Sequence, residues 1–458
     1  MSLPSSIGMR LRGRWMLGVS FLLSLSLWAL VPPRIQSDGV GYYAYLRSAF
    51  FDHDLDFRNE YTHYRDVSSA IQFVDEQRLT PTGKVANVWA VGPAVLWSPF
   101  FLLGHLTARV LVACGTRTGL DGYSAPYVVA ISFASCLYAW AGLLAYRICR
   151  EYMDRGTSCL ALLVVWFGTS LPAYMYFYPS MGHATSFFSV SLFLFAWHAT
   201  RGQKTSIRWM LLGVLAGLMT MVRWQNCLFG IVAAFDLVPG PAGRIHKKNW
   251  KEAWMAVANG AGFLACAALA FSPQMLAWKS LYGQLLTFPF DPGGTSTHFH
   301  WMEHVSDVLF SSKHGLLTWT PAVSIALAGL PLFAREDEMF ALSLTCAFLL
   351  QLCLVGSWEN WWQGASFGGR MFVECSTIFL LGLAAVMDRA KAKVPVRLLG
   401  ILCLLVVTWN LMLMFQYGVG LIPHEDYVSW RVVIRNQVLV VPKLLVKLVT
   451  SPGAVRLP

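Results

Sequence analysis

Apolar residues in this chain gather in long unbroken runs instead of recurring every three or four positions as on an amphipathic helix. The stretches 15–31, 127–146, 160–178, 254–271 and 340–356 contain no charged side chain. Each approaches or meets the ~20 residues that a helix needs to cross a bilayer. The pattern predicts an all-α polytopic membrane protein. No internal sequence repeat interrupts it, and no segment long enough for a separate soluble domain is left over.

Composition agrees: 56% of residues are hydrophobic and 13% charged, against about a quarter charged in soluble domains. A net charge of +11 in a soluble chain would suggest nucleic acid. Here the Lys and Arg fall in short clusters between apolar runs, at 10–14, 147–155, 201–208, 244–251 and 389–397. That is the positive-inside pattern, and it assigns these clusters to the cytoplasm with no nucleic-acid partner. Ten cysteines are scattered, mostly inside apolar segments and without a CxxC pair, so they read as small core residues. The first apolar run follows Arg10, Arg12 and Arg14 but ends in Pro32 and Pro33 without a small-x-small site, which predicts an uncleaved first span.

Parity then fixes a topology. Span one (15–31) leaves the cytoplasm, so the stretch 36–87, with eight Asp or Glu, lies outside within a first external loop at 34–126. Only one of the two apolar segments before the cluster at 147–155 can cross. The segment 88–113 holds Pro93, Pro99, His105 and Arg109, so it is assigned to an outer juxtamembrane or re-entrant helix. Span two is 127–147, followed by 158–178, 184–199, 209–222, a short sixth at 227–238, 254–276, 316–333, 340–356, 371–387 and 397–416. The expectation is a transmembrane module over 1–416 with roughly eleven crossings and a short external tail, 417–458. Its stretch 438–449 suits a membrane surface.

Polar residues concentrate on the predicted outer face, in 34–87, 179–183, 223–226, 277–315 and 357–370. Asp38 stands within a few residues of the exit of span one, in the run Ser37, Asp38, Gly39, Val40, Gly41, Tyr42, Tyr43, Ala44, Tyr45, Leu46. Arg223 and Arg370 each end an apolar segment. The Asp52-His53-Asp54 triplet spells a DxD, but inside an acidic loop it reads as solvated carboxylates. His298, His300 and His304 with Glu303 lack zinc spacing. No metal is indicated, although Asp54, Asp56 and Glu60 are oxygen donors of the type a divalent cation takes.

These positions together resemble the GT-C class of polyprenyl-phosphate-sugar-dependent glycosyltransferases, in particular bacterial members related to the protein O-mannosyltransferase and aminoarabinose-transferase group. The resemblance rests on Asp38 with the Tyr42-Tyr43-Ala44-Tyr45-Leu46 run, on Gly92-Pro93 and Ser98-Pro99-Phe100, and on Pro179 to Ala184. It continues in Gly217-Leu218 ahead of Arg223, in His314-Gly315-Leu316 with Pro321, and in Ser366 to Arg370. It covers roughly 15–390, through short motifs whose order carries the weight.

The resemblance implies a GT-C-like bundle in the plasma (inner) membrane of a bacterium, with its site facing the periplasm. It implies transfer of a sugar from a polyprenyl-phosphate carrier to an unidentified glycan, lipid or protein acceptor, with inversion. Asp38 is then the general base. Arg223 and Arg370, with Lys313 and His314, are donor-phosphate ligands, and Tyr42, Tyr43, His183, Trp358, Glu359, Trp361 and Trp362 line the cleft. Bland readings stand beside these: Arg223 snorkelling to headgroups, His183 at a helix start, and the three tryptophans in an interfacial belt. The rival function is a transporter or lipid flippase, which is expected to carry broken helices in two related halves and ionisable groups near the midplane.

Overall fold

The computed structural model describes residues 5–65, 79–203, 205–237, 250–289 and 299–450. Among the described residues there is no strand, only two isolated bridges that pair Leu79 with Val85 and Phe299 with Trp358. Helices run in the order α1 (Ser5–Leu30), α2 (Gly39–Arg47), α3 (Arg58–Tyr64), α4 (Gly92–Ala113), α5 (Ala125–Ala139), α6 (Gly142–Tyr152), α7 (Arg155–Gly168), α8 (His183–Ala199), α9 (Ser206–Val222) and α10 (Trp250–Tyr282). They continue as α11 (Val305–Phe310), α12 (Pro321–Phe333), α13 (Glu338–Gly356), α14 (Ser376–Ala390), α15 (Val396–Gly418), α16 (Trp430–Arg435) and α17 (Val441–Thr450).

Six helical segments are long and apolar enough to cross a bilayer: Gly92–Ala113, Ala125–Tyr152, Trp254–Tyr282, Glu338–Gly356, Arg370–Ala390 and Val396–Gly418. Four shorter apolar helices accompany them, at Gly18–Leu30, Arg155–Gly168, Ser206–Val222 and Pro321–Phe333. The protein is a polytopic α-helical membrane protein. Leu264 and Leu269 on α10 and Leu404 and Leu405 on α15 are more than half exposed, as lipid-facing side chains are and as side chains in a soluble core are not.

Four details differ from the hydropathy reading. The expected span 158–178 is regular helix only to Gly168, where Thr169 is extended (φ −122°, ψ −173°) ahead of a π-helical turn, Ala173–Phe177. The expected span 316–333 is split at Thr320 (φ −127°, ψ 79°), which the following Pro321 holds out of helix. The expected sixth span, 227–238, is a 3-10 turn Trp224–Gly230, a four-residue helix Ile231–Ala234 and a second 3-10 turn Phe235–Leu237. The cause lies just upstream, where Arg223 is extended (φ −151°, ψ 127°) and Asn226 donates to Met219 O at 2.9 Å, ending α9 sharply. The tail after 416 is also more than an appendage. Its α16 and α17 are joined by a π-helical turn, Asn436–Val440, from which the buried Gln437 donates to Trp409 O at 2.9 Å and so ties the tail to α15. The basic cluster 244–251 and the loop 66–78 lie largely outside the described residues.

The chain divides into two compact units, one formed by residues 20–144 and 174–296, the other by 1–19, 145–173 and 297–458. In each, glycines let two helices touch backbone to backbone, as membrane helices do where no water drives their association. In the first unit a Cβ on Gly213 or Gly217 of α9 would fall 2.2 Å from Phe263 O or Ala267 O of α10. In the second, Gly329 of α12 and Gly382 of α14 meet in the same way. Asp154 caps α7 through Gly156 N and Thr157 N at 2.9 and 3.1 Å, and its other oxygen takes Lys391 at 2.5 Å.

The helix α4 meets the length and hydropathy of a span, whereas charge parity leads to the expectation that it lies on the outer face without crossing. Single cysteines at Gly119 and Gly202, in a background lacking the native thiols, separate the sides. A membrane-impermeant maleimide should label position 119 in intact cells and position 202 only after permeabilisation. Labelling of both under the same condition refutes the parity assignment.

Candidate functional site

Asp38 is the N-cap of α2, where its backbone oxygen accepts from Gly41 N at 3.1 Å while its half-buried carboxylate makes no capping bond. The side chain is therefore not spent on the helix end, the ordinary use of an Asp there. The start of α2 is pressed against the turn 177–183. Gln36 donates its backbone N–H to Ser180 Oγ at 3.2 Å and its side-chain amide to Phe177 O at 2.9 Å. A Cβ on Gly39 would fall 2.1 Å from Ser180 Oγ. Gly182, at φ 72°, then turns the chain into α8 and brings His183 to the first position of that helix.

His183 is buried, and Arg223 Nη1 lies 2.5 Å from its Nδ1. Arginine only donates, so this imidazole nitrogen is the acceptor. Gln225, its amide turned so that the oxygen faces the guanidinium, accepts from Arg223 Nη2 and Nε at 2.7 and 2.9 Å. Arg223 itself is 7% exposed, and among the described residues no carboxylate pairs with it. It does not snorkel into the headgroups: the extended backbone at 223 turns the side chain back into the protein.

Two other buried arginines of the same unit are handled differently. Arg208 Nη2 meets Asp236 Oδ2 at 2.5 Å, and Trp197 Nε1 donates to the same oxygen at 2.9 Å. Arg47 bonds Glu60 at 2.9 Å and also meets Asp52, which Asn59 holds at 2.6 Å. Among the described residues of the segment after α2, Glu60 is buried and Asp52 partly so, while Asp54 is exposed. Asp52 is locked to Arg47, Asp54 accepts from Ser48 Oγ at 2.8 Å, and the aromatic rings of Tyr43, Tyr45, Phe57, Tyr61, Phe101 and Tyr127 form a buried core.

Of the tyrosines expected to line a cleft, Tyr42 packs against Gly182 beside His183. Tyr43 does not line a cleft: it is fully buried in the aromatic core, with its hydroxyl on Gly122 O.

The remaining expected residues belong to the other unit. His314, at φ 64°, is buried against Trp319 and Tyr417, and neither ring nitrogen has a hydrogen-bond partner. Burial, only partly offset by the His424 backbone and reinforced by the charges of Lys313 and Arg370, lowers its pKa to about 3. Lys313 Nζ sits 4.0 Å from the centre of the Trp362 ring and 5.9 Å from that of Tyr427, a cation over aromatic faces. Trp361 stacks on His304, Trp358 meets Phe299 at 5.5 Å between centroids, and Glu359 is exposed. Arg370 follows the positive-φ Gly368, donating its own N–H to Gly368 O at 2.9 Å. His300 and His304 each face an acidic residue three positions on, Glu303 and Asp307, both at 3.6 Å, and His298 lies outside the described residues.

Of the expected residues, His183 and Arg223 meet in the first unit, where Asp38 begins a helix whose next residue, Gly39, packs against Ser180, and Lys313, His314 and Arg370 share a neighbourhood in the second. The sequence reading missed Ser180, Gln225 and His424. Gln225 carried a signal, a polar run Arg223-Trp224-Gln225-Asn226 between apolar segments, whereas His424 in the tail carried none. The sequence matches no family model and no curated protein. The class that the fold defines is therefore a polytopic α-helical membrane protein with a buried guanidinium, that of Arg223, held by His183 and Gln225.

Glu60 gives a pH test of the loop that carries Asp38. Burial pushes its carboxyl up to about 7, against the opposing effect of Arg47, while Asp52 nearby adds to the rise. A folded-state pKa above the unfolded 4.5 means a stability contribution fully present below that value and lost as pH rises through about 7. The melting temperature should fall across this window and then level off, and Glu60→Gln should flatten the profile. An unchanged profile in the variant shows that another group controls it.

Proposed function

We propose that the protein is a membrane glycosyltransferase that moves a sugar from a polyprenyl-phosphate carrier to an acceptor outside the cytoplasm. The observation that carries this reading is the buried guanidinium of Arg223. Burying an ion costs several kcal/mol unless a counter-charge meets it, and this unit supplies carboxylates to Arg47 and Arg208 but only an imidazole and an amide to Arg223. A centre built that way is complete when an anion arrives, and a phosphate accepts the paired donors of a guanidinium.

In the proposed reaction Asp38 takes the proton of an acceptor hydroxyl as its oxygen attacks the anomeric carbon. The bond from that carbon to the carrier phosphate breaks on the opposite face, giving inversion, and its electron pair leaves on the phosphate. Arg223, held by His183 and Gln225, stabilises that charge as it develops. Lys313, Arg370 and the neutral His314 form a second cationic patch proposed to bind donor phosphate. No step requires a metal. Among the described residues Asp52 and Glu60 are engaged with Arg47, Asp52 also with Asn59, and Asp54 with Ser48.

Asp38→Asn keeps size and removes the base, so turnover should fall on the order of 10²–10⁴-fold with donor binding retained. Arg223→Ala should weaken donor binding as well as turnover, because its contact is made before and during bond cleavage. The measurement is sugar transfer from a polyprenyl-phosphate donor by protein in nanodiscs, with binding read separately. Wild-type turnover in Asp38→Asn removes the base assignment. Solute transport by a wild-type protein that transfers no sugar selects the rival class.

A further inference from the structure

A tail lying on the membrane surface would leave α15 at a steep angle, and α16 and α17 do not. The backbone is helical without a break from Trp430 to Thr450, through α16, the π-helical turn and α17. A helix of that length measures about 30 Å, the thickness of a bilayer's hydrocarbon core. Pro442 has no N–H to give and crowds the carbonyl four residues back, and the wider π-helical turn just before it lets the helix continue.

Two hydrogen bonds give the direction. Gln416, near the C-terminal end of α15, donates to Val433 O at 3.3 Å, and Gln437 donates to Trp409 O at 2.9 Å. From Val433 to Gln437 the tail advances four residues while its partner on α15 retreats seven, from Gln416 to Trp409. The two helices are therefore antiparallel, and α17 stays in contact with α15 beyond Gln437. Continued, this register sets Thr450 near the first turn of α15, which is itself long and apolar enough to cross a bilayer. An interfacial helix lies in the plane of the membrane. A helix that follows a span from one end to the other does not.

The side chains are sorted as this position requires. Val433, Asn436, Gln437 and Val441 are buried, and both amides bond backbone oxygens, Asn436 that of Leu421 at 3.4 Å. Val438, Leu439 and Val446 are more than half exposed. Charge is confined to two exposed pairs spaced four apart, Arg431 with Arg435 and Lys443 with Lys447, and none lies between the pairs. Spacing of four puts each pair on one helix face. Long basic side chains toward the ends of a membrane helix extend to the headgroups, and no acidic residue stands between Tyr427 and Thr450 to meet them instead. These same four charges are why apolar length alone does not mark the segment in the sequence.

We propose that residues 430–450 form a further membrane-inserted helix, paired antiparallel with α15, whose outward face is a phospholipid-binding surface. Acyl chains lie on Val438, Leu439 and Val446, and the arginine and lysine pairs reach the headgroup regions of opposite leaflets. The connection 419–429 is then anchored by a membrane helix at each end, which holds Tyr427 against Lys313 and His424 on Tyr417. None of this rests on the glycosyl-transfer reading.

Glu425 and Thr450, both exposed, stand on either side of the inserted stretch. Single cysteines there, in full-length protein lacking the native thiols, should react with a membrane-impermeant maleimide from opposite sides: Glu425→Cys in intact cells, Thr450→Cys only after permeabilisation. Labelling of both under one condition overturns the crossing. Labelling in the reverse order keeps the crossing and refutes the sidedness that parity assigns. Depth is read separately from a spin label on Val438→Cys in phosphatidylcholine nanodiscs. Oxygen, which concentrates in hydrocarbon, should relax that label several-fold more than a water-soluble nickel chelate does, with the order inverted at Glu425→Cys. Chelate access at position 438 equal to that at 425 overturns the lipid-facing surface.

Discussion

The arrangement of the first unit depends on one interaction, a guanidinium taken out of solvent and held by neutral partners. Arg223 cannot lose its proton, so the surroundings must tolerate the charge. His183 and Gln225 supply acceptor atoms without cancelling it. Holding both acceptors in place fixes the rest. His183 is placed by the left-handed Gly182 and by the turn that Ser180 presses against Gly39, and Asn226 bonds Ser186 and Met219 O to stop α9 where the arginine must turn inward. A Cβ on Gly92 would meet the Met221 backbone at 2.4 Å, so α4 begins directly against the same break. Three segments far apart in sequence are locked by the requirements of one cation.

Much of this architecture was legible because hydrocarbon imposes a simple rule: backbone groups must pair internally, so long apolar runs become helices. The run read as 340–356 is α13, Glu338–Gly356, and 397–416 is α15, Val396–Gly418. The rule fails where polar side chains bond the backbone. The segment 227–238 has the composition of a span, but Asn226 and the extended Arg223 stop regular helix before it. The segment after α2 was legible only in part, since Asp54 is exposed as expected but Glu60 is buried. A count of acidic residues in sequence cannot show that Arg47 lies beneath them, neutralising Glu60 and Asp52, nor that tyrosines fill the space between.

The site was legible in part, and the part follows from chain locality. Asp38 follows span one directly, and His183 and Arg223 stand at boundaries of apolar runs, so hydropathy alone marks them. Gln225 matters through which atom faces which neighbour, and that is a property of packing. His424 and Tyr427 come from a tail that composition describes only as mixed, yet His424 stacks on Tyr417 at 4.3 Å and Tyr427 faces Lys313. A neutral histidine lies next to the cationic groups in both units, His183 beside Arg223 and His314 beside Lys313 and Arg370. Imidazole suits that place because it accepts from a cation without cancelling its charge.

The way charge is compensated also bears on the choice between catalysis and transport. A transport pathway is expected to line its route with ionisable groups that exchange partners as the protein changes state. The buried ionisable pairs here are closed instead. Arg208 and Asp236 bond each other and are buttressed by Trp197 and Thr200, and Arg47 is held by Glu60, Asp52 and the Asp121 carbonyl at 3.0 Å. Breaking either pair to pass a solute would leave an uncompensated buried ion, at about 3–5 kcal/mol. Of these arginines, Arg223 is the one that meets no carboxylate among the described residues. A cation fixed by neutral acceptors is a poor conduit, and it suits the proposed reaction, which releases an anion.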